Sequence, residues 1–213
     1  PQELQEQWNA LLTQDPQLRI RNAATKLEVS ECELLATRVG EGVTRLAGDF
    51  GELLCSLEPL GTVMALTRND QAVHEKVGVY DEVTIHGPMG LAVGKDIDLR
   101  IFLSQWTYGF AVQEETRTGV RSSLQFFTSF GQAIHKIYLR DESIASQYDC
   151  LVERFRCADQ NKTQETTQPP ASQQEKPDGE SMSTGFSMTG ECSKTPMTSS
   201  PCCANGGLRE RKR

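Results

Sequence analysis

The sequence predicts an α+β fold: N-terminal helices, a large antiparallel β-sheet meander and a closing helix. Three observations carry that expectation. Apolar residues recur at helical spacing up to about Leu57, alternate with a period of two from Gly61 onward, and return to a helical stripe after Asp141. Helices and strands that come in separate runs mark a segregated arrangement rather than alternating βαβ units.

In the first segment Leu4, Trp8, Leu11 and Leu12 share a helical face. That helix is expected to end near Asp15-Pro16, because the residue before proline avoids the helical region. A second helix is expected over about "RNAATKLE". Ser30 caps a third, since Glu33 three residues on completes a capping box, and Leu34 and Leu35 then face inward. A short fourth helix fits "GDFGELLCSL". The stretches "TVMALTRN", "VGVYDEVTIHG", "GLAVG", "DIDLRIFL", "YGFAVQEET", "RSSLQFF" and "GQAIHKIYL" follow as strands. They are short, rich in β-branched and aromatic residues, and separated by Gly, Asn or Asp. Short connections argue for an antiparallel meander covered on one face. In "DESIASQYDCLVERF", Ile144, Tyr148, Leu151, Val152 and Phe155 form one helical stripe.

After Cys157 the composition changes. "ADQNKTQETTQPPASQQEKPDGE" is rich in Gln, Thr and Pro and buries too little apolar surface to offset its ordering entropy. The expected organisation is a domain over 1–156, a polar linker over 157–180 and a disordered tail over 181–213. The net charge is −7. All of that excess lies in residues 1–156, with 15 basic and 22 acidic residues against seven of each afterwards. Such a body repels DNA and anionic membranes unless its basic residues cluster. No apolar run approaches the roughly 20 residues of a membrane span. The start lacks the basic and apolar regions of a signal peptide, although a chain opening at Pro1 leaves a missing leader open. Cys32, Cys55, Cys150 and Cys157 show no paired short spacing and read as reduced thiols of a cytoplasmic protein.

Several constellations could carry chemistry. "RNAATKLEVSECELLATR" has the spacing of a helix-turn-helix, but its candidate recognition helix begins with Glu31 and Glu33, where DNA readers place basic or amide side chains. Helical packing is the alternative. None of His74, His86 and His135 lies in a short zinc-like motif. His135 reads as a strand-face or half-buried residue and His86 as a turn residue. His74 sits in a hairpin with Arg68 and Lys76, either as a local cationic cluster or as a solvated turn. In "GKDIDLRIFL", alternation sets Ile97, Leu99, Ile101 and Leu103 against Asp96, Asp98, Arg100 and Phe102. If the first set faces the core, Arg100 stands on the open face, paired to a nearby aspartate or free to take an anionic ligand bidentately.

Taken together, "LRIRNAATKLEVSECELLATRVGEGVTRL", "GTVMALTRNDQAVHEKVGVY", "DIDLRIFLSQWTYGFAVQEET" and "RSSLQFFTSFGQAIHKIYL" resemble the amino-terminal half of the hemin-degrading, or heme-utilisation, proteins of the HemS and HmuS type. The resemblance runs from about Leu11 to Phe155. It implies one of two tandem repeats whose sheets pack together, in a cytoplasmic protein that takes up heme delivered by an importer and degrades or passes it on. It implies heme as cofactor, Arg100 on the distal heme side, and His74 as an auxiliary contact. The family's proximal histidine lies early in the second half, in a segment reading like Asp-Thr-His-Asp-Phe-Phe.

No histidine follows His135 here. The tail "KTPMTSSPCCANGG" instead permits that peptide in another reading frame. Met197-Thr198 forces Asp and Cys202-Cys203 forces Leu, while the degenerate junctions allow Asp-Thr-His-Asp-Phe-Phe-Ala-Leu-Leu. The expectation is an out-of-frame tail from about Ser181, with Cys202 and Cys203 as by-products of leucine codons and not a metal site. A chain of this kind would be a crippled enzyme, binding heme weakly and self-associating through an exposed sheet face. The competing readings are a helix-turn-helix regulator and an interaction or relic domain without heme.

Overall fold

The computed structural model describes residues 1–69, 71–116 and 119–168. The later part of the polar segment and the whole tail over 181–213, with its reading-frame expectation, lie outside the described residues. Three helices come first: α1 (Gln2–Gln14), α2 (Ile20–Lys26) and α3 (Glu31–Ala36). α1 stops before Pro16, with Asp15 already extended. Both halves of the α3 capping box form: the Glu33 amide donates to Ser30 Oγ at 3.1 Å, and the Ser30 amide donates to Glu33 Oε2 at 2.8 Å. A strand that the periodicity did not suggest, β1 (Val43–Leu46), follows; four residues are too few to show a period. After it come α4 (Phe50–Cys55), β2 (Gly61–Arg68), β3 (Val73–Gly78), β4 (Val83–His86), β5 (Met89–Val93) and β6 (Asp98–Phe102). The chain continues through β7 (Tyr108–Thr116), β8 (Gly119–Phe127), β9 (Ala133–Ser143) and α5 (Ala145–Arg154).

The large antiparallel sheet has the order β1-β7-β8-β9-β2-β3, and β4-β5-β6 form a separate three-stranded sheet. The run is thus not one meander. Its break falls inside "VGVYDEVTIHG", where Glu82 takes a left-handed φ of 49° and the strand changes sheets. Gly78 lets the loop between β5 and β6 close over β3, since a Cβ there would lie 2.8 Å from Asp96. Between the two sheets, α4 and α5 complete a core that includes Leu53, Leu54, Ile97, Trp106, Leu124 and Phe126. Each such side chain contributes roughly 1.5–3 kcal/mol on burial. The other face of the large sheet is covered in part by α3, through Cys32, Leu35 and Ala36 against Phe110 and Val112. Trp8, Ala23, Ala24 and Leu34 join the three helices to one another.

Beyond α5 the chain runs beside β1. Gln160 caps that edge with its side-chain amide, accepting from the Arg45 amide at 2.9 Å and donating to the Arg45 carbonyl at 2.9 Å. The Arg45 guanidinium donates to the carbonyls of Asn161 and Thr163 at 2.8 and 2.7 Å, and also to Gln164. Farther along, the Thr167 amide reaches the Ser129 carbonyl at 2.9 Å. The described part of this segment is held by polar contacts, which a reading of apolar content does not register.

Candidate functional site

The β4–β6 sheet turns Ile101 and Ala92 into the core, and Leu99 packs against it from the same side. Its opposite face is therefore set by alternation. In register, Arg100 on β6 stands opposite Leu91 on β5, and Leu91 opposite Thr84 on β4. The adjoining row is Phe102, Met89 and His86; Asp98 faces Val93. Phe102 is 62% exposed and Val93 52%. Arg100 is exposed as well, so a fixed cation stands among uncovered apolar side chains.

The ambiguity about its partner resolves in this structure. Asp96 pairs with Lys76 at 3.6 Å. None of the ion pairs among the described residues involves Arg100. A planar guanidinium with free donors beside an apolar wall suits a flat apolar body bearing an anionic group. Arg100 and Phe102 were legible as face-mates in the sequence. Met89, Leu91 and Val93 were missed, although the same alternation in "MGLAV" carries the signal.

The expected cationic hairpin does not assemble on one face. Thr67 stands opposite His74, and Arg68 opposite Val73. Arg68 therefore points to the face bearing α3, whereas His74 and Lys76 point to the other, both exposed. The Lys76–Asp96 pair links this strand to the loop that leads into β6. His86 is exposed at the end of β4, next to the Gly87 turn.

His135 is fully buried rather than half-buried. Nδ1 lies 2.9 Å from Thr67 Oγ1, Nε2 lies 2.7 Å from the Tyr80 hydroxyl, and the ring stacks on Trp106. Burial pushes its pKa down to about 3 and raises that of Tyr80. Both ring nitrogens are occupied inside the core, so His135 is a structural residue.

The helix-turn-helix reading is overturned. In α3, Glu31, Cys32, Leu34, Leu35 and Ala36 are all buried, and Glu31 pairs with Arg68 and Lys136. A helix packed on a sheet through its would-be reading face cannot enter a major groove. The four described cysteines are free thiols, and burial raises the pKa of Cys32. Among the described residues, no helix is long and apolar enough to cross a membrane.

The family described as the haemin-degrading HemS.ChuX domain matches residues 28–155. The hemin transport protein HmuS of Yersinia pestis is 41% identical over 153 residues, which cover 71% of this chain but 44% of HmuS. Among solved structures, the heme-binding protein PhuS of Pseudomonas aeruginosa in its holo form has a TM-score of 0.76 at 47% identity, over 79% of this chain and 49% of PhuS. The heme degrading enzyme ChuS of Escherichia coli O157:H7 gives 0.71 at 32% identity, over 79% and 51%. The chain thus spans about half the length of these relatives. It belongs to the HemS/ChuX haemin-degrading domain family.

Proposed function

We propose that this chain is the amino-terminal half of a cytoplasmic heme-binding protein of heme-iron uptake, and that Arg100 with the outer face of the β4–β6 sheet forms the distal wall of its heme site. The observation that carries this is Arg100 itself, exposed and without an ion-pair partner among the described residues, beside exposed Phe102 and partly exposed Leu91. These residues fit one side of a porphyrin: an apolar surface for the ring and a bidentate cation for a propionate. When bound, heme supplies redox and Lewis-acid chemistry at iron. Arg100 anchors and orients it, and Phe102, Leu91 and Met89 exclude water from one face. His74 is an auxiliary contact from β3.

An importer on the cytoplasmic side is the proposed source of heme, and degradation or transfer its fate in two-repeat members. A proximal ligand from a second half would be needed for either chemistry. The open face of the large sheet, with exposed Val73 and Val77, is proposed to support self-association.

The test is a hemin titration of the full chain and of Arg100→Ala, followed at the Soret band. A saturable band is expected, weakened at least tenfold by the substitution, since hydrogen bonds to charged groups contribute about 1.5–3 kcal/mol. An unchanged affinity in Arg100→Ala would remove Arg100 from the site. The absence of a saturable band in the parent chain would leave a folded domain without heme.

A further inference from the structure

We propose that Glu31, Arg68 and Lys136, at the floor of the groove between the N-terminal helices and the large sheet, bind a carboxylate carried on an apolar body such as an alkyl chain. The groove encloses about 1360 Å³ and lies on the opposite side of the large sheet from Arg100. Trp8 and Leu12 line its helical wall, and Met64, Leu66 and Tyr138 its floor. These apolar side chains are interleaved with polar and charged ones, Arg38, Gln113 and Glu115 among them, so the groove suits an amphipathic molecule, its alkyl part against the apolar residues and its negative charge at the trio.

The first reason is charge. Glu31 and Lys136 are 7% and 8% exposed at the side chain and Arg68 15%, yet one carboxylate serves both cations. The next charges on this face, Glu114 and Arg121, pair with each other at 3.1 Å and cancel. Glu75 stands exposed on the rim. A buried cluster with one cation in excess is unfavourable until an anion joins it. Consistently, burial holds the Lys136 pKa down at about 8 although Glu31 is beside it.

The second reason is geometry. Lys136 Nζ is 3.8 Å from Glu31 Oε2, within Coulombic reach but too far to hydrogen-bond, and Oε2 has no hydrogen-bond partner. Gln125, which stands opposite Lys136 in the β8–β9 ladder, is buried with Oε1 also unpartnered. An ammonium has three donors. Neither Glu31 Oε2 nor Gln125 Oε1 takes one of them in this structure, and a ligand carboxylate supplies an acceptor.

The site is independent of the heme reading, and the experiment keeps them apart. Decanoate and decanol, which share an apolar body, are titrated calorimetrically into the full chain, Arg100→Ala and Lys136→Met. Saturable decanoate binding is expected in the parent and in Arg100→Ala, with none for decanol and a loss of at least tenfold in Lys136→Met. That variant leaves a neutral Glu31–Arg68 pair and is expected to fold. Should it not fold, protection of Lys136 from acetylation by decanoate in the parent, read by peptide mass, replaces it. Equal binding of acid and alcohol, unaltered binding by folded Lys136→Met, no decanoate binding by the parent, or no protection would each overturn the proposal.

Discussion

A lone histidine in a strand can be a ligand, a pH sensor or a packed core residue, and at His135 the three are distinguished by what surrounds the ring. Thr67 and Tyr80 occupy its two nitrogens, and burial depresses its pKa to about 3 from 6.5. The unfolded chain therefore binds a proton below pH 6.5 that the native state refuses until about pH 3. Stability from this residue is whole above 6.5 and is lost as the pH falls through that window. Between about pH 6.5 and 4.5 the loss should be roughly 2 kcal/mol. Urea unfolding at both values, for the parent and His135→Gln, checks it. An equal pH slope in the two proteins would show that His135 does not titrate this way. The same local view explains why the burial of Glu31 was not legible in the sequence: Arg68 and Lys136, which pair with it, are distant along the chain.

Secondary-structure elements were legible wherever a period had room to develop. The Ser30–Glu33 capping box, the stop before Pro16 and the alternation in β6 follow from neighbouring residues, and they form. β1 and the split between β3 and β4 were not legible, because pairing partners, and not local preference, decide both. The segment after α5 belongs to this scale too. Gln160 completes the β1 edge as a further strand would, and its loss should strand the Arg45 amide, while the Arg45 carbonyl keeps the Cys157 amide. Gln160→Ala is expected to cost about 1–2 kcal/mol and to speed hydrogen exchange at the Arg45 amide. Unchanged exchange there would mean that the edge is closed by something else.

For the described domain as a whole, the consequential feature is a large sheet whose α3-bearing face is only partly covered. Val73 and Val77 are 58% and 41% exposed on the open side. If that face carries self-association, sedimentation across a wide protein concentration range should show a reversible shift to larger species. Val77→Lys, near the end of β3, should suppress the shift by stranding a charge at the contact. A single monomeric species at every concentration would sink the proposal. Both candidate sites lie outside the main core, one on each side of the large sheet, so neither requires the core to open.

Local patterning was enough to establish the α+β class, the succession of most elements, the family resemblance and the face on which Arg100 stands, because helix caps, proline stops and the two-residue period of a strand act between neighbours. Packing alone settled the rest. It put β9 beside β2, drew β4–β6 into their own sheet, sent Arg68 and His74 to opposite faces, and sank Glu31, Lys136 and His135 below the surface. Each of those outcomes depends on contacts between residues far apart in the chain, whose energies no local window contains.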